Sequence, residues 1–412
     1  MNLILIFLIL FTFALNAQDT PPTFGSRSNL GELVNDDIDE ASGLVASLNN
    51  KGVLWTHNDS GGENRIFAID TNGNNLGEFY LDGIENRDWE DIAIGPGPDD
   101  KLTYLYIGDI GDNEKEHALK YVYRIEEPKV AAGQSFIDST ITDISTITLL
   151  YPDANRDAET LMIDPLTKDI FIVSKRNTKV RLYKATYPQS TTGIVNMSLE
   201  VKLTFPKDPE ENKPFNYITA GEISSDGKEI IVKTYDDVYY WSRTENESVK
   251  QAMIKAPLNL PYVREPQGEA ICWKPNDDKG YYTLSEEKVN VGGTEFNFPA
   301  KLYYYPRTPL VGVENKSNIP NNLNLEQNYP NPFNPTTTIK YSIPFVEALH
   351  STSLQLKVYD ALGKEIVMLV NESKSAGNYS VNFNAENLPS GVYYYQLKFG
   401  SYSQTKKMLL LK

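Results

Sequence analysis

Glu90-Asp-Ile-Ala-Ile94, followed by Leu105-Tyr-Ile-Gly-Asp109, is the stretch of this sequence that decides the fold. It consists of a Glu, a short apolar strand, a polar turn, a second apolar strand and a polar cluster. The same pattern begins at Glu40, Glu90, Glu159, Glu222 and Glu269, at spacings of 50, 69, 63 and 47 residues. A further strand pair follows most copies, and four strands in about 50 residues are typical of one β-propeller blade.

The turns and the chain ends fit the same interpretation. Asp70-Thr-Asn-Gly73 and Ser225-Asp-Gly227 supply residues that tolerate positive φ in tight turns. The fifth copy has one clear outer strand, Lys301 to Tyr305, and Leu30 to Val34 can complete that blade and close the ring. The sequence therefore predicts an all-β protein with a five-bladed propeller, or a six-bladed one if a long interval holds a degenerate blade. An array of β-sandwiches is the weaker alternative, because it does not explain a Glu at the same phase of each copy.

Charge is distributed unevenly along the chain. The net charge is −16, and residues 323–412 hold eight Lys and six acidic residues, so the upstream part carries −18. Because phosphate binding needs clustered Lys and Arg, we expect no nucleic-acid partner.

The single cysteine, Cys272, lies in an apolar strand and is expected to be a small buried side chain. We expect a monomer.

Met1 to Ala17 is an apolar run that ends in small residues. It is shorter than the ~20 residues of a membrane-spanning helix and is typical of a secretory signal peptide, although it has no Lys or Arg before the apolar part. A retained membrane anchor is the alternative. The expected organisation is a signal peptide (1–17), a propeller (18–309), an Asn-rich linker (310–322) and a second β domain (323–412).

The second β domain has the most specific motifs in the chain. Short strands with period-two alternation, such as Leu354, Leu356 and Val358, predict a small Ig-like antiparallel β-sandwich. Its motifs are Asn328-Tyr-Pro-Asn-Pro-Phe-Asn-Pro335, Thr336-Thr-Thr-Ile-Lys-Tyr-Ser-Ile-Pro344, Leu356-Lys-Val-Tyr-Asp-Ala-Leu-Gly-Lys364, Leu388-Pro-Ser-Gly-Val-Tyr-Tyr-Tyr395 and Thr405-Lys-Lys-Met-Leu-Leu-Leu-Lys412. These blocks closely resemble the C-terminal sorting domain of the type IX secretion system of Bacteroidetes.

This resemblance implies a place of action and a set of partners. The implied partner is the type IX secretion machinery, which carries such proteins across the outer membrane. In that family the domain is usually cleaved, and the remainder is released or linked to surface lipopolysaccharide. We therefore expect a secreted or outer-membrane cell-surface protein.

The propeller contains acidic residues where its channel is expected. The sequence has no Gly-x-Ser-x-Gly elbow, no His-Glu-x-x-His motif, no phosphate loop and no Cys/His metal spacing. Equivalent positions on the innermost strands converge on one axis, so the repeated Glu residues should approach one another. Oxygen ligands at variable spacing favour Ca²⁺, which is the expected cofactor.

The candidate residues form two sets. The candidate metal ligands are Glu40, Asp59, Glu90, Asp91, Asp109, Asp112, Glu159, Glu222 and Glu269. The candidate ligand-binding residues are His57, Asn58, Lys175 and Glu286. The alternative for the repeated Glu residues is structural, since one acidic residue per blade can accept hydrogen bonds from turn amides.

Two functions of different classes remain open from the sequence. The first is a surface protein that binds Ca²⁺ or another ligand without catalysis. The second is a calcium-dependent hydrolase of phosphoesters, esters or glycans, with an Asp or Glu as base. The arrangement is similar to β-propeller phytases and to calcium-dependent lactonase-type propellers, by pattern alone, so no catalytic residue is assigned.

Overall fold

The computed structural model describes most of the chain. Its contacts divide the chain into two units, Met1–Leu310 and Val311–Lys412. The predicted signal peptide and the whole predicted linker lie outside the described residues. The described residues are 21–131, 134–176, 179–205, 217–275, 280–286, 288–291, 294–308, 324–343, 354–372, 377–399 and 402–412.

The first unit is built from β-sheets that are mainly antiparallel. We number its blades by the order of their innermost strands. The first blade contains β3 (Ala41–Ala46), β4 (Val53–Asn58), β5 (Arg65–Asp70), β6 (Asn75–Leu81) and β10 (Ile137–Ile141). The second contains β7 (Trp89–Pro96), β8 (Thr103–Asp109), β9 (Leu119–Glu126), β11 (Ser145–Leu150) and β15 (Ile194–Asn196). In both, the outermost strand pairs in parallel with its neighbour.

The other three blades have four strands each. The third contains β12 (Ala158–Ile163), β13 (Ile170–Ser174), β14 (Val180–Ala185) and β16 (Ser198–Leu203). The fourth contains β17 (Ile218–Ile223), β18 (Glu229–Thr234), β19 (Val238–Ser242) and β20 (Leu258–Leu260). The fifth contains β21 (Gly268–Trp273), β22 (Tyr281–Ser285), β25 (Lys301–Tyr305) and the N-terminal β2 (Ser28–Glu32).

The innermost strands contact one another in a closed ring, in the order β3, β7, β12, β17, β21 and back to β3. Strand β2 pairs with β25, so a segment from the start of the chain completes the last blade, as the sequence predicts. The other elements that the structure describes in this unit are β1 (Thr23–Phe24), β23 (Lys288–Val291), β24 (Thr294–Asn297), β26 (Arg307–Thr308) and a short helix, α1 (Val249–Met253), capped by Ser248 and Gln251. The described part of the first unit is therefore a β-propeller.

The propeller core lies between blades rather than within them. Five apolar clusters each combine residues of two neighbouring blades, and together they follow the ring. Trp55 and Trp89 pack between the first and second blades, and Cys272 lies between the fifth and the first. Cys272 is fully buried, as expected, and burial raises the pKa of its thiol.

The second unit is a small β-sandwich. One sheet contains β27 (Asn324–Leu325), β28 (Thr336–Ile343) and β31 (Gly377–Asn384). The other contains β29 (Leu354–Tyr359), β30 (Glu365–Glu372), β32 (Gly391–Phe399) and β33 (Tyr402–Leu410). Leu354, Leu356 and Val358 are fully buried between the sheets, which confirms the alternation read from the sequence.

Helix α1 has five residues, and the described residues contain no candidate membrane-spanning helix.

Candidate functional site

A β-bulge lies at the start of every innermost strand. The register with the second strand of each blade shifts at this point, which leaves one extra residue unpaired. The bulged residues are Ser42, Glu90, Glu159, Thr219 and Glu269. Three blades therefore have a Glu at the same structural position, at one end of the channel.

Carboxylates gather around these three bulges. We call the residues Asp59, Asp88, Glu90, Asp157, Glu159, Glu269 and Glu286 the channel cluster. They form three triads, in each of which the three carboxylate oxygens lie within 4.8 Å of one another. The triads are Asp59–Asp88–Glu90, Asp59–Glu269–Glu286 and Glu90–Asp157–Glu159. Asp59 and Glu90 each belong to two triads and connect them.

The members of the channel cluster differ in burial. Glu90, Asp157, Glu159, Glu269 and Glu286 are buried, whereas Asp59 and Asp88 are half-buried. Asp59 and Asp88 are therefore the members of the cluster that are partly accessible to solvent.

Burial and mutual repulsion act strongly on these carboxyl groups. Burial, together with the nearby charge of Glu269, raises the pKa of Asp59 to about 7. Burial and the charge of Asp59 raise the pKa of Glu90 well above its ordinary value, and burial and Glu269 do the same for Glu286. The ionised cluster is therefore costly unless positive charge compensates it.

Two features show that the protein packs closely around these carboxylates. Glu159 is 1% exposed, and its Oε2 atom is buried with no hydrogen-bond partner. Gly111 lies against Glu90 and Asp88, and a Cβ atom at this position would overlap both carboxylates. A glycine is needed there because any side chain would displace the acidic groups.

Cationic and hydroxyl groups contact three of the buried carboxylates of the cluster. The ammonium group of Lys175 forms an ion pair with Oε1 of Glu159. Arg176 donates from Nε to Asp157 at 2.5 Å, and the Tyr235 hydroxyl donates to Glu269. These contacts fix the orientation of three of the seven carboxylates.

The structure brings together six of the residues expected from the sequence. Asp59, Glu90, Glu159 and Glu269 lie in the channel cluster, with Lys175 and Glu286. Glu40 lies beside it, where its backbone carbonyl accepts a hydrogen bond from the Asp59 N–H at 2.8 Å.

Asp91 and Glu222 lie outside the cluster and connect neighbouring blades. Asp91 accepts hydrogen bonds from its neighbour Ile92 and from the Leu161 N–H of the third blade, both at 2.9 Å. Glu222 accepts one from the Trp273 N–H of the fifth blade. Burial raises the pKa of Asp91 well above its ordinary value and that of Glu222 to about 8. For these two residues the contacts match the structural alternative.

Asp109 and Asp112 are engaged in local ion pairs. Asp109 pairs with Arg87 at 2.7 Å, and Asp112 pairs with the buried Lys120 at 3.0 Å. Burial acts to raise the pKa of Asp112, but the bond from Lys120 and two backbone N–H bonds hold it below its ordinary value.

His57 and Asn58 do not face the cluster. His57 is fully buried, packs edge-to-face against Trp89 and donates from Nδ1 to the Asn58 carbonyl at 2.9 Å. Burial lowers the pKa of His57 to about 4, so its ring is neutral in ordinary conditions. The Asn58 amide donates to the Asp37 carbonyl and to Asp39.

Four residues of the site are absent from the candidate sets read from the sequence: Asp88, Asp157, Arg176 and Tyr235. Asp88 and Asp157 each lie two residues before a bulged Glu. That Asp-x-Glu spacing, in Asp88-Trp-Glu90 and Asp157-Ala-Glu159, is a signal that could have identified both. Arg176 and Tyr235 follow strands β13 and β18, at the same end of the channel.

The second unit matches a known family. Residues 327–411 match the family model described as a secretion system C-terminal sorting domain. The chain is therefore a secreted or cell-surface protein. A sorting domain of this type implies interaction with the type IX secretion machinery, as the motifs in the sequence indicate. No curated protein matches the chain.

The solved structures that match this chain are distant from it. PorZ, a surface component of the type IX secretion system of Porphyromonas gingivalis, is 14% identical with a TM-score of 0.33; the match covers 91% of this chain and 60% of PorZ. A luciferin-regenerating enzyme is 13% identical with a TM-score of 0.36; the match covers 66% of this chain and 94% of the enzyme. The Dos1 propeller is 10% identical with a TM-score of 0.29; the match covers 69% of this chain and 95% of the Dos1 propeller. Similarity at this level carries no information about activity.

Proposed function

We propose that this protein, outside the cell, binds a divalent cation, Ca²⁺, in the channel cluster of its propeller. The observation that carries the proposal is the set of three carboxylate triads that share Asp59 and Glu90. Cation binding makes the propeller a ligand-binding surface module, and it does not require a catalytic group.

The charge balance of the cluster supports this proposal. Two of the seven carboxylates pair with a cationic side chain among the described residues, Glu159 with Lys175 and Asp157 with Arg176. Carboxylates at such short distances repel one another, and burial adds to the cost of ionisation. A bound cation removes both penalties, because it supplies charge and replaces the water that the carboxylates have lost. The bound cation also becomes a partner for the Oε2 atom of Glu159, which has no hydrogen-bond partner.

The donor set and its dimensions favour calcium. All candidate donors are carboxylate oxygens, whereas His57 and Cys272 are buried elsewhere. Ca²⁺ binds six to eight oxygens at about 2.3–2.6 Å, so two of its ligands can be up to about 5.2 Å apart. The oxygens of each triad lie within that span. Smaller Mg²⁺ requires a stricter octahedral arrangement and retains more of its water.

A calcium-dependent hydrolase is the second candidate function. The observation that favours it is the half-buried position of Asp59 and Asp88, which leaves part of both residues accessible to a small substrate. Asp59 is then the group best placed to accept a proton from an attacking water. A panel of phosphoester, ester and glycan substrates, assayed with wild type and Asp59→Asn, tests this candidate once cation binding is established.

The decisive experiment measures cation binding and thermal stability together. We expect the purified full chain to bind Ca²⁺ in calorimetry, and saturating Ca²⁺ to raise the melting temperature by about 5 °C relative to chelator. Glu90→Gln removes a charge that two triads share, so it should abolish most of this shift.

Glu222→Gln is the matched control, because it also changes a buried glutamate but lies outside the channel cluster. It should retain the calcium-induced shift. Absence of bound Ca²⁺ and identical melting curves with calcium and with chelator would contradict the proposal.

A further inference from the structure

Lys175 places an ammonium group inside the channel cluster. The residue directly follows strand β13 and is 6% exposed. Its backbone N–H donates to the Asp157 carbonyl at 3.0 Å, and this bond fixes the start of the side chain beside the Glu90–Asp157–Glu159 triad. Its ammonium group forms the ion pair with Oε1 of Glu159 and lies 6.0 Å from the ring centre of Tyr235.

The charge of Lys175 acts on more than its direct partner. It opposes the rise in pKa of both Asp59 and Glu90, the two residues that connect the triads. Arg176, by contrast, is paired at the edge with Asp157 and Asn113, and its side chain is 36% exposed. Lys175 is therefore the more deeply buried of the two cationic groups that pair with the cluster.

We infer that Lys175 is an internal counter-cation that competes with the bound divalent cation and sets the affinity of the channel cluster. This inference rests on the proposed function. In the metal-free protein the ammonium group neutralises part of the buried charge. A divalent cation at the Glu90–Asp157–Glu159 triad must displace that group from Glu159 or bind against its positive charge.

The side chain has the properties that this role requires. A lysine has a compact charge on a flexible four-carbon stem, so its ammonium group can withdraw while its backbone stays in place. Any contact that must be broken before a ligand binds lowers the apparent affinity for that ligand. A competing ammonium group therefore holds the Ca²⁺ affinity in a weak range, about 10⁻⁴–10⁻³ M, as in extracellular calcium modules.

The experiment compares Ca²⁺ affinities of the purified full chain by calorimetry. Lys175→Met removes the charge and keeps most of the apolar stem, so we expect at least tenfold tighter Ca²⁺ binding and a lower melting temperature in chelator. Lys175→Arg retains the charge, so it should bind Ca²⁺ more weakly than Lys175→Met does. Lys168→Met is a matched control, because Lys168 pairs with Asp100 and not with the cluster; it should leave the affinity unchanged.

The outcomes separate this inference from the proposed function. If wild type binds Ca²⁺ and Lys175→Met binds it equally or more weakly, the competition is wrong and cation binding stands. If neither protein binds Ca²⁺, the proposed function fails and the inference with it. If Lys175→Met is unfolded in chelator, recovery of its circular dichroism spectrum on adding Ca²⁺ supports the replacement of one cation by the other. Failure to recover at saturating Ca²⁺ overturns it.

Discussion

Glu90 and Asp91 are adjacent carboxylates with different surroundings. Glu90 is the bulged residue of its strand and reaches the channel cluster, whereas both oxygens of Asp91 accept backbone N–H bonds. A carboxylate with two backbone donors is satisfied by the protein itself, and one among other carboxylates is not. Residue type alone therefore does not identify a metal ligand. What distinguishes the two carboxylates is whether N–H groups of the protein already donate hydrogen bonds to them.

Glu222 allows a prediction about pH. Its carboxyl group is buried beside one backbone donor, and burial raises its pKa to about 8. In the unfolded chain the pKa is that of an ordinary Glu, about 4.3, so the folded state holds the proton more tightly. The contribution of Glu222 to stability is therefore complete below about pH 4.3 and is lost as the pH rises to 8.

The measurement compares melting temperatures of wild type and Glu222→Gln in chelator from pH 4.5 to 8.5. A glutamine accepts the same backbone hydrogen bond without a charge, so the variant should equal wild type at the acid end and exceed it by several degrees at the alkaline end. Glu85→Gln, at an exposed position, should follow the wild-type curve. Parallel curves for wild type and Glu222→Gln would show that burial of this carboxyl group does not affect stability.

At the scale of elements, the strands could be predicted from the sequence but their registers could not. Each apolar segment of the repeat corresponds to an innermost or second strand. The sequence repeat predicts a Glu at the same structural position in every blade. The bulge instead falls on Ser42 in the first blade and on Thr219 in the fourth. A bulge inserts one residue without changing the apolar pattern, so composition and spacing do not locate it.

The same limit applies to the loops of the site. Lys175 and Tyr235 follow strands of two neighbouring blades, and their side chains approach each other because these blades pack side by side. The sequence indicates that acidic and cationic residues end these strands. It does not indicate which side chains turn toward the axis, because loop conformation is set by contacts between blades.

Closure by strand β2 leads to a prediction about the N-terminal segment. Strand β2 pairs along β25, and Leu30 and Leu33 pack against the core between the fifth and first blades. Removal of residues 1–33 exposes the edge of β25 and this apolar surface. We expect the truncated protein to melt at least about 5 °C lower, or to aggregate, in scattering-monitored thermal unfolding.

Removal of residues 1–22 is the control, because it leaves β1 and β2 in place. That protein should match the full chain. Equal melting temperatures and equal scattering for the two truncations would mean that the ring is held closed without the N-terminal strand.

For the whole molecule, the two units differ in charge and in role. The part before residue 323 carries −18, and residues 323–412 carry +2. The acidic propeller contains the channel cluster, and the sorting domain matches the family model over residues 327–411. The contacts of the chain divide between the two units. Export and cation binding are therefore expected to be separable.

This separation can be tested in a host that has a type IX secretion system. Deletion of residues 327–411 removes the sorting domain, so we expect the shortened protein to remain inside the outer membrane, with at least a tenfold loss from the medium and cell surface by immunoblot of cell fractions. Because the channel cluster lies in the first unit, the retained protein should still show the calcium-induced rise in melting temperature. A Glu90→Gln full chain is the reciprocal control: it should be exported normally and should lack that rise. Normal export without residues 327–411 would contradict the role of the sorting domain, and loss of the calcium response in the shortened protein would show that the propeller depends on the second unit.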